Sequence, residues 1–320
     1  MVVSNPSIRP SQPAYAFGKN PISKTNPAIG FSASADIFQR SISPQNTHPT
    51  ARFAGSDSPQ KLADELNRPL SAGLSESARV RKVADFAKRL FQECSTESEL
   101  LEFLQHTGTY VCNAKDHKWV KSGIEALGSN ALFYTPPSIL NLPEDTKKRD
   151  LGMPKEVDDL CKSAQANKFS FMLYDSTPDP TDPNAVRPIN HLRHEAYHLI
   201  QVKMGLPQIT ANHDHNQLAL QYINQLLEHL TDTQTAAETQ QRIQSALTKA
   251  AQYKKPSNPQ AGSVGEAMAI NGKREKEVYD FFCDQYPALG LNQAELNYNL
   301  LRKELYRIAI EYSHCYNGVR

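Results

Sequence analysis

Hydrophobic positions early in the chain recur with the period of an amphipathic helix. Between residues 76 and 93, Val80, Val83, Ala87 and Leu90 return every three or four positions, so they share one helix face. The basic residues of this segment fall on the other faces (Arg79, Arg81, Lys82, Lys88 and Arg89). That arrangement is typical of a solvated surface, and a surface for an anionic partner is the alternative.

Short apolar runs in the middle of the chain predict three strands. They cover 110–112, 131–134 and 169–174, and the last, Phe-Ser-Phe-Met-Leu-Tyr, has the strongest strand composition. Short helices are predicted around them (96–104, which opens with a Thr-x-x-Glu capping box, 118–127 and 156–166).

The pattern then becomes helical to the end of the chain. Pro188 suits a first helical turn, and Gly205 with Pro207 stops the helix near Met204. Helical spacing continues beyond Pro207 in four segments (216–230, 234–253, 264–286 and 292–316). The C-terminal half is therefore predicted to be mostly helical.

The first 58 residues have a different composition. They are rich in Ser, Pro, Asn and Ala, and seven prolines interrupt every candidate helix. Such a segment buries too little apolar surface to offset its ordering entropy, so we predict a disordered tail over 1–58, with short docking or export elements as the alternative. The remainder is divided into a helical N-terminal subdomain, 59–130, and a main domain, 131–320. The predicted fold class is α+β, predominantly helical, with a small sheet packed beside the helix at 188–204.

Composition and charge argue against several classes of protein. The formal net charge is +1 and the charges are interspersed, which disfavours nucleic-acid binding. No apolar run approaches the roughly eighteen residues of a transmembrane helix, and the first residues lack the features of a standard signal peptide. The five cysteines are widely spaced without a C-x-x-C pair, as expected for free thiols. We expect a cytoplasmic protein, or one exported without a standard signal peptide.

His194 and His198 are the residues that point to chemistry. Four positions apart on the predicted helix, they lie one turn apart on the same face and can both reach one small cation. Catalytic zinc keeps one position open for a water whose pKa it lowers, and the adjacent Glu195 can take the proton of that water. The alternative is a buried helix whose histidines bond to neighbouring residues.

The run His194-Glu195-Ala196-Tyr197-His198 resembles the signature of zincin metallopeptidases. Its flanks are uncharged at the positions that must pack (192, 196, 197, 199 and 200), and it departs from the signature at His191, where Val or Thr is usual. The resemblance covers about residues 169–286 and implies a zinc peptidase with Glu195 as general base. It also implies that the strand 169–174 lines the cleft and pairs with extended substrate; a purely structural strand is the alternative.

A third protein ligand is needed for a catalytic zinc site. The glycine and histidine of the metzincin continuation are absent after His198. Gly265-Glu266-Ala267 resembles the turn that carries the third ligand in several gluzincins, so Glu266 is the expected ligand. Ser263 gives the same glutamate a capping-box role as an alternative. The other candidates are Glu277, Glu228 and the pair His213 and His215.

The sequence therefore predicts a zinc-dependent peptidase. In this hypothesis His194, His198 and Glu266 hold Zn²⁺, Glu195 is the catalytic base, and the partner is a peptide or protein substrate. The alternative is a non-catalytic interaction protein on a zincin-like helical scaffold.

Overall fold

The computed structural model describes residues 58–70, 73–126, 131–135, 154–177, 186–207 and 263–316. Within these ranges it has a predominantly helical α+β fold with eight α-helices and three strands, as predicted. The elements in chain order are α1 (Ser58–Leu66), α2 (Glu76–Glu93), α3 (Glu97–His106), β1 (Thr109–Asn113), α4 (Lys118–Ala126), β2 (Ala131–Tyr134), α5 (Lys155–Asn167), β3 (Ser170–Tyr174), α6 (Pro188–Lys203), α7 (Val264–Asp284), α8 (Gln293–Tyr312) and a 3₁₀ turn (Ser313–Tyr316).

Two predicted regions cannot be compared with this fold. The tail over 1–58 lies outside the described residues except for Ser58, which begins α1. The helices predicted at 216–230 and 234–253 lie outside them as well. The other predicted helices and strands agree with the structure to within a few residues.

The three strands form one mixed sheet in the order β1-β3-β2. β1 runs parallel to β3, with Thr109 opposite Ser170, and β2 runs antiparallel to it, with Ala131 opposite Tyr174. The proposed pairing of residues 169–174 with substrate is therefore wrong, because both edges of β3 are already occupied. In the described part of the chain, β2 is the strand beside α6 that keeps one edge unpaired.

Helix α6 lies at the centre of the described residues. It packs against β2 and β3 of the sheet and against α2, α3 and α7. Leu192, Leu199 and Ile200 are completely buried in one hydrophobic core with Leu90 of α2 and Phe281 of α7. Because almost every face of α6 is covered, its polar side chains must find partners inside the protein.

The predicted boundary at residue 130 does not separate two compact units. The described residues belong to a single unit. Strand β1, before the boundary, pairs with β3, after it, and Leu104 shares its core with Ile200. The separate subdomain 59–130 is therefore wrong: α2 and α3 pack on α6, α1 packs on α3, and the apolar residues of all three helices belong to the same core as those of α6 and α7.

Helices α7 and α8 pack closely at Gly272. A Cβ atom there would lie 3.0 Å from Cγ1 of Ile310 and 3.4 Å from the backbone oxygen of Tyr306. The absence of a side chain therefore lets the two helices approach. This contact brings Tyr306 to the part of α7 that carries Glu275.

The described cysteines Cys94, Cys112, Cys161 and Cys283 are thiols and not disulfides, in agreement with the sequence. In the described residues, no helix combines the length and the apolar character needed to cross a membrane.

Candidate metal centre

Three side chains from two helices converge on one point. Nε2 of His194 lies 3.2 Å from Oε2 of Glu275, and Nε2 of His198 lies 3.1 Å from Oε1 of the same carboxylate. The two imidazole Nε2 atoms are 3.1 Å apart. Since one ligand atom from each residue lies within 4.8 Å of the others, this group could hold a metal ion.

The third member of the cluster is Glu275 and not Glu266. Glu266 is on the same helix but nine residues earlier, which places it about 13 Å away along the helix axis. It lies in the first turn of α7, where its backbone N–H donates to Oγ of Ser263 at 3.1 Å. The expectation that Glu266 completes the site is therefore corrected. Among the other candidates, Glu277 is separated from His198 by Gln201, which hydrogen-bonds to both. Glu228, His213 and His215 lie outside the described residues.

The charges in the cation-free cluster stabilise each other. Burial alone would lower the pKa of His198, but the charge of Glu275 and the hydrogen bond to it outweigh burial and raise the pKa to about 9. Burial opposes the ionisation of Glu275 too, yet His198 and His194 hold the pKa of this carboxyl far below its usual range. A proton on His198 therefore occupies the position that a cation would take, and cation binding must displace it.

Gln201 fixes the orientation of His198. Nδ1–H of the imidazole donates to Oε1 of Gln201 at 2.8 Å, so Nε2 is the nitrogen that faces the cluster and becomes available to a cation once its proton is displaced. The amide itself cannot turn over easily, because its Nε2 donates to the backbone oxygen of Arg274 and to Oε2 of Glu277, both at 3.0 Å. Gln201 is completely buried. Its hydrogen bonds therefore set both the tautomer and the ring plane of one potential ligand.

This chain of contacts continues to helix α2. Glu277 accepts a hydrogen bond from Nη1 of Arg274 at 3.0 Å, and Nη2 of Arg274 pairs with Glu76 at the start of α2. Nζ of Lys273 also lies 2.8 Å from Glu76. Arg274 is only 2% exposed, so these carboxylates balance a buried charge. The network ties the helix that bears Glu275 to the N-terminal helices.

Glu195 is buried at the side of the cluster that faces the sheet. Burial raises the pKa of its carboxyl, while the charges of His194 and His198 partly oppose that rise. The backbone of Phe133 in β2 also favours the charged form. The carboxyl group thus has a high proton affinity for a glutamate and stands between the histidines and the edge strand.

Aromatic rings form another wall of the site. The ring of Tyr279 lies 5.1 Å from that of His194, and Tyr306 stacks on Tyr279 at 5.7 Å. Tyr298 meets Tyr279 edge-on at 6.3 Å. These rings shield the cluster from water on the side of α8 and strengthen its electrostatic interactions.

A signal for Glu275 was present in the sequence. Its neighbours at three and four positions on either side are Asn271, Gly272, Val278 and Tyr279, which are all buried. Glu275 is therefore a carboxylate in the middle of the buried stripe of α7, and such a group needs a positive partner. The resemblance to the gluzincin turn favours Glu266 instead.

No family model matches this chain, and neither a curated protein nor a solved structure matches it.

Proposed function

We propose that this protein is a zinc-dependent hydrolase that cleaves peptide bonds. The observation that carries the proposal is the convergence of His194, His198 and Glu275, whose ligand atoms lie within 4.8 Å of one another, with Glu195 beside them. The order of the residues in the chain, two histidines on one helix and a glutamate on a later one, is consistent with the resemblance to zincins.

The donor set fits zinc. Two imidazole nitrogens and one carboxylate oxygen are the three protein ligands of several catalytic zinc sites, and they leave a fourth position open. Softer metals prefer thiolates, and the described cysteines take no part in this cluster; magnesium and calcium prefer oxygen ligands alone.

Zinc in such a site lowers the pKa of a water molecule and polarises a substrate carbonyl. Glu195 takes the proton of the attacking water and returns it to the leaving amine. Its buried position supports this role, because burial raises the pKa of the carboxyl towards the pH at which it must both accept and release a proton. Gln201 holds His198 in the tautomer that presents Nε2.

Strand β2 favours a peptide as the substrate. Among the described strands it is an antiparallel edge strand, it packs on α6, and Phe133 lies next to Glu195. An extended peptide can add to such an edge through backbone hydrogen bonds, which would place its carbonyls along the cluster.

Metal analysis tests the first half of the proposal. Wild-type protein purified without chelators should contain one zinc per chain, and the His194→Ala, His198→Ala double variant should contain none. A folded wild type that takes up no zinc at micromolar concentration contradicts the proposal.

Glu195→Gln tests the second half. This variant should bind zinc like the wild type and lose the cleavage of a mixed peptide library by a factor of at least about a hundred. Cleavage that survives the change at wild-type rate rules out Glu195 as the base.

One observation favours a non-catalytic alternative. Glu275 already satisfies both imidazoles by direct contact, so the cluster could be a structural ion pair that joins α6 to α7. In that case zinc would neither bind nor stabilise the protein, and the same metal analysis separates the two functions.

A further inference from the structure

Arg302 on α8 carries a positive charge near the cluster and has no ion-pair partner among the described residues. In the described part of the chain, its buried Nε has no hydrogen-bond partner, and no carboxylate lies within ion-pair distance of its guanidinium. The guanidinium carbon lies 5.1 Å from the ring centre of Tyr298. A buried donor without an acceptor is costly, so such a group calls for a ligand.

The position of Arg302 on α8 places it close to the candidate metal centre. Tyr298, Arg302 and Tyr306 follow at four-residue intervals and therefore share one face of the helix. The rings on this face contact Tyr279, which in turn contacts His194. Burial would lower the pKa of Arg302, but the surrounding tyrosines and Glu275 raise it, so the guanidinium stays charged.

Metal binding makes the need for an anion greater. In the cation-free protein, Glu275 is the carboxylate that attracts Arg302 through space. A divalent cation held by Glu275 would use that negative charge and would itself repel the guanidinium. The centre then carries an excess of positive charge, which favours the binding of an anion.

His191 adds a neutral hydrogen-bonding group to this region. It lies one turn before His194 on α6, at the position where the peptidase signature usually has an apolar residue. Burial, together with the charges of His194 and Arg302, lowers its pKa to about 4. At neutral pH its imidazole can therefore donate one hydrogen bond without adding charge.

We propose that Arg302, assisted by His191, is a specificity-determining residue that binds a carboxylate of the substrate next to the bond that is cleaved. A planar guanidinium matches a carboxylate with two parallel hydrogen bonds, which a tyrosine-lined, partly buried site strengthens. The proposal rests on the proposed hydrolase function and names its substrate class: peptides with a carboxylate adjacent to the scissile bond. This carboxylate is either the C-terminus of the peptide or the side chain of an aspartate or glutamate.

Three zinc-binding probes test the proposal on the full-length, zinc-loaded protein. Each probe is a dipeptide that carries a succinyl hydroxamate as its zinc-binding group. The dipeptides are Leu-Ala with a free C-terminus, Leu-Ala with a C-terminal amide, and Leu-Glu with a C-terminal amide. We expect at least one carboxylate probe to bind about ten- to a hundredfold more tightly than the neutral Leu-Ala amide in calorimetry. The tighter of the two carboxylate probes identifies the C-terminus or the acidic side chain as the source.

Arg302→Met should bring this affinity ratio close to one and leave the affinity for the neutral probe unchanged. Arg307→Met is the matched control: it removes an arginine from the same helix that instead pairs with Glu304 and Glu311, and it should keep the ratio. If Arg302→Met does not fold, Arg302→Lys replaces it. Lysine keeps the charge but loses the planar fork, so part of the preference should remain.

Equal binding of all three probes to the wild type overturns the carboxylate subsite, as does a preference that survives Arg302→Met. Peptide hydrolysis, measured separately, reports on the proposed function. If the protein hydrolyses peptides but shows no carboxylate preference, the hydrolase proposal stands and the subsite proposal fails. If it shows the preference but no hydrolysis, the subsite proposal stands and the hydrolase proposal fails. Failure to bind any of the probes counts against both.

Discussion

At the scale of single residues, the choice between Glu275 and Glu266 can be tested with one substitution at two positions of one helix. Glu275→Gln removes the charge that contacts both imidazoles, so we expect zinc affinity to fall by more than about a hundredfold. Glu266→Gln, two and a half turns earlier, should leave it unchanged. Competition with a fluorescent chelator measures both. Equal losses in the two variants would contradict the assignment.

Gln201 provides a second test, because it contacts His198 and would affect zinc binding only through that residue. Gln201→Leu keeps the side-chain volume but removes the acceptor that holds Nδ1–H, so zinc affinity should fall about ten- to a hundredfold while the protein stays folded. Gln165→Leu is the control, since this glutamine donates to the hydroxyl of Tyr134 and does not contact the cluster. Unchanged zinc affinity in Gln201→Leu would exclude the positioning role.

The proximity of the two histidines was predictable and the third member of the cluster was not, for a physical reason. His194 and His198 are brought together by the period of one helix, which local sequence specifies. The position of Glu275 depends on how α7 crosses α6, and that crossing is set by contacts such as Gly272 against α8. A resemblance to a short motif carries no information about these contacts between helices. The position of Glu275 on the buried side of α7 does, however, reduce the number of candidate ligands.

At the scale of elements, a buried carboxylate anchors the start of α6. Glu295, the third residue of α8, accepts hydrogen bonds from the backbone N–H and the guanidinium of Arg187, at 3.0 and 2.9 Å, and from Asn190 at 2.7 Å. It also closes the capping box with Asn292. One side chain therefore joins the first turns of α6 and α8, the two helices that carry His194 and Arg302.

This anchor makes stability depend on pH. Burial opposes the ionisation of Glu295, but the hydrogen bonds from Arg187 prevail and lower its pKa. A carboxyl whose pKa is lower in the folded state stabilises the protein above the unfolded pKa of about 4.3, and this contribution disappears as the pH falls through the folded value. Wild-type protein should therefore lose stability steadily below about pH 4.5.

Glu295→Gln should be less stable than the wild type at pH 7 by about 1.5–3 kcal/mol and should show a shallower fall in acid. Urea unfolding at pH 3 to 7 measures both quantities. Glu304→Gln is the control on the same helix, because its partner Arg307 is partly exposed and the pair contributes little. If the two variants have the same acid profile, Glu295 is not the anchor.

The strands show the same limit: local sequence predicts where a strand lies but not which neighbours it pairs with. Their positions followed from short apolar runs, but the run with the best strand composition, in β3, proved to be the central strand. Strong apolar character on a strand reflects burial on both sides, which is what a central strand has. The edge strand β2 is shorter and less distinctive in sequence, yet it is the strand that lies against Glu195.

At the scale of the whole molecule, the described residues share one hydrophobic core around α6, and the three residues of the cluster come from helices that are distant in the chain. The unfolded chain cannot present them together, so zinc should bind the folded state alone. At a free zinc concentration a hundred times the dissociation constant, this linkage adds about 2.7 kcal/mol to the free energy of unfolding. For a domain of this size the melting temperature should rise by roughly 5–10 °C.

A probe far from the metal site should detect the same zinc-dependent rise in melting temperature. Trp119, the single tryptophan, is on α4, which packs on β3 and α5 and takes no part in the cluster. If the described residues unfold as one cooperative unit, its fluorescence and the helical circular dichroism signal should report one midpoint, and zinc should shift both equally. In Glu275→Gln both shifts should vanish. A fluorescence transition that ignores zinc while the circular dichroism signal moves would mean that the sheet and the metal helices unfold separately.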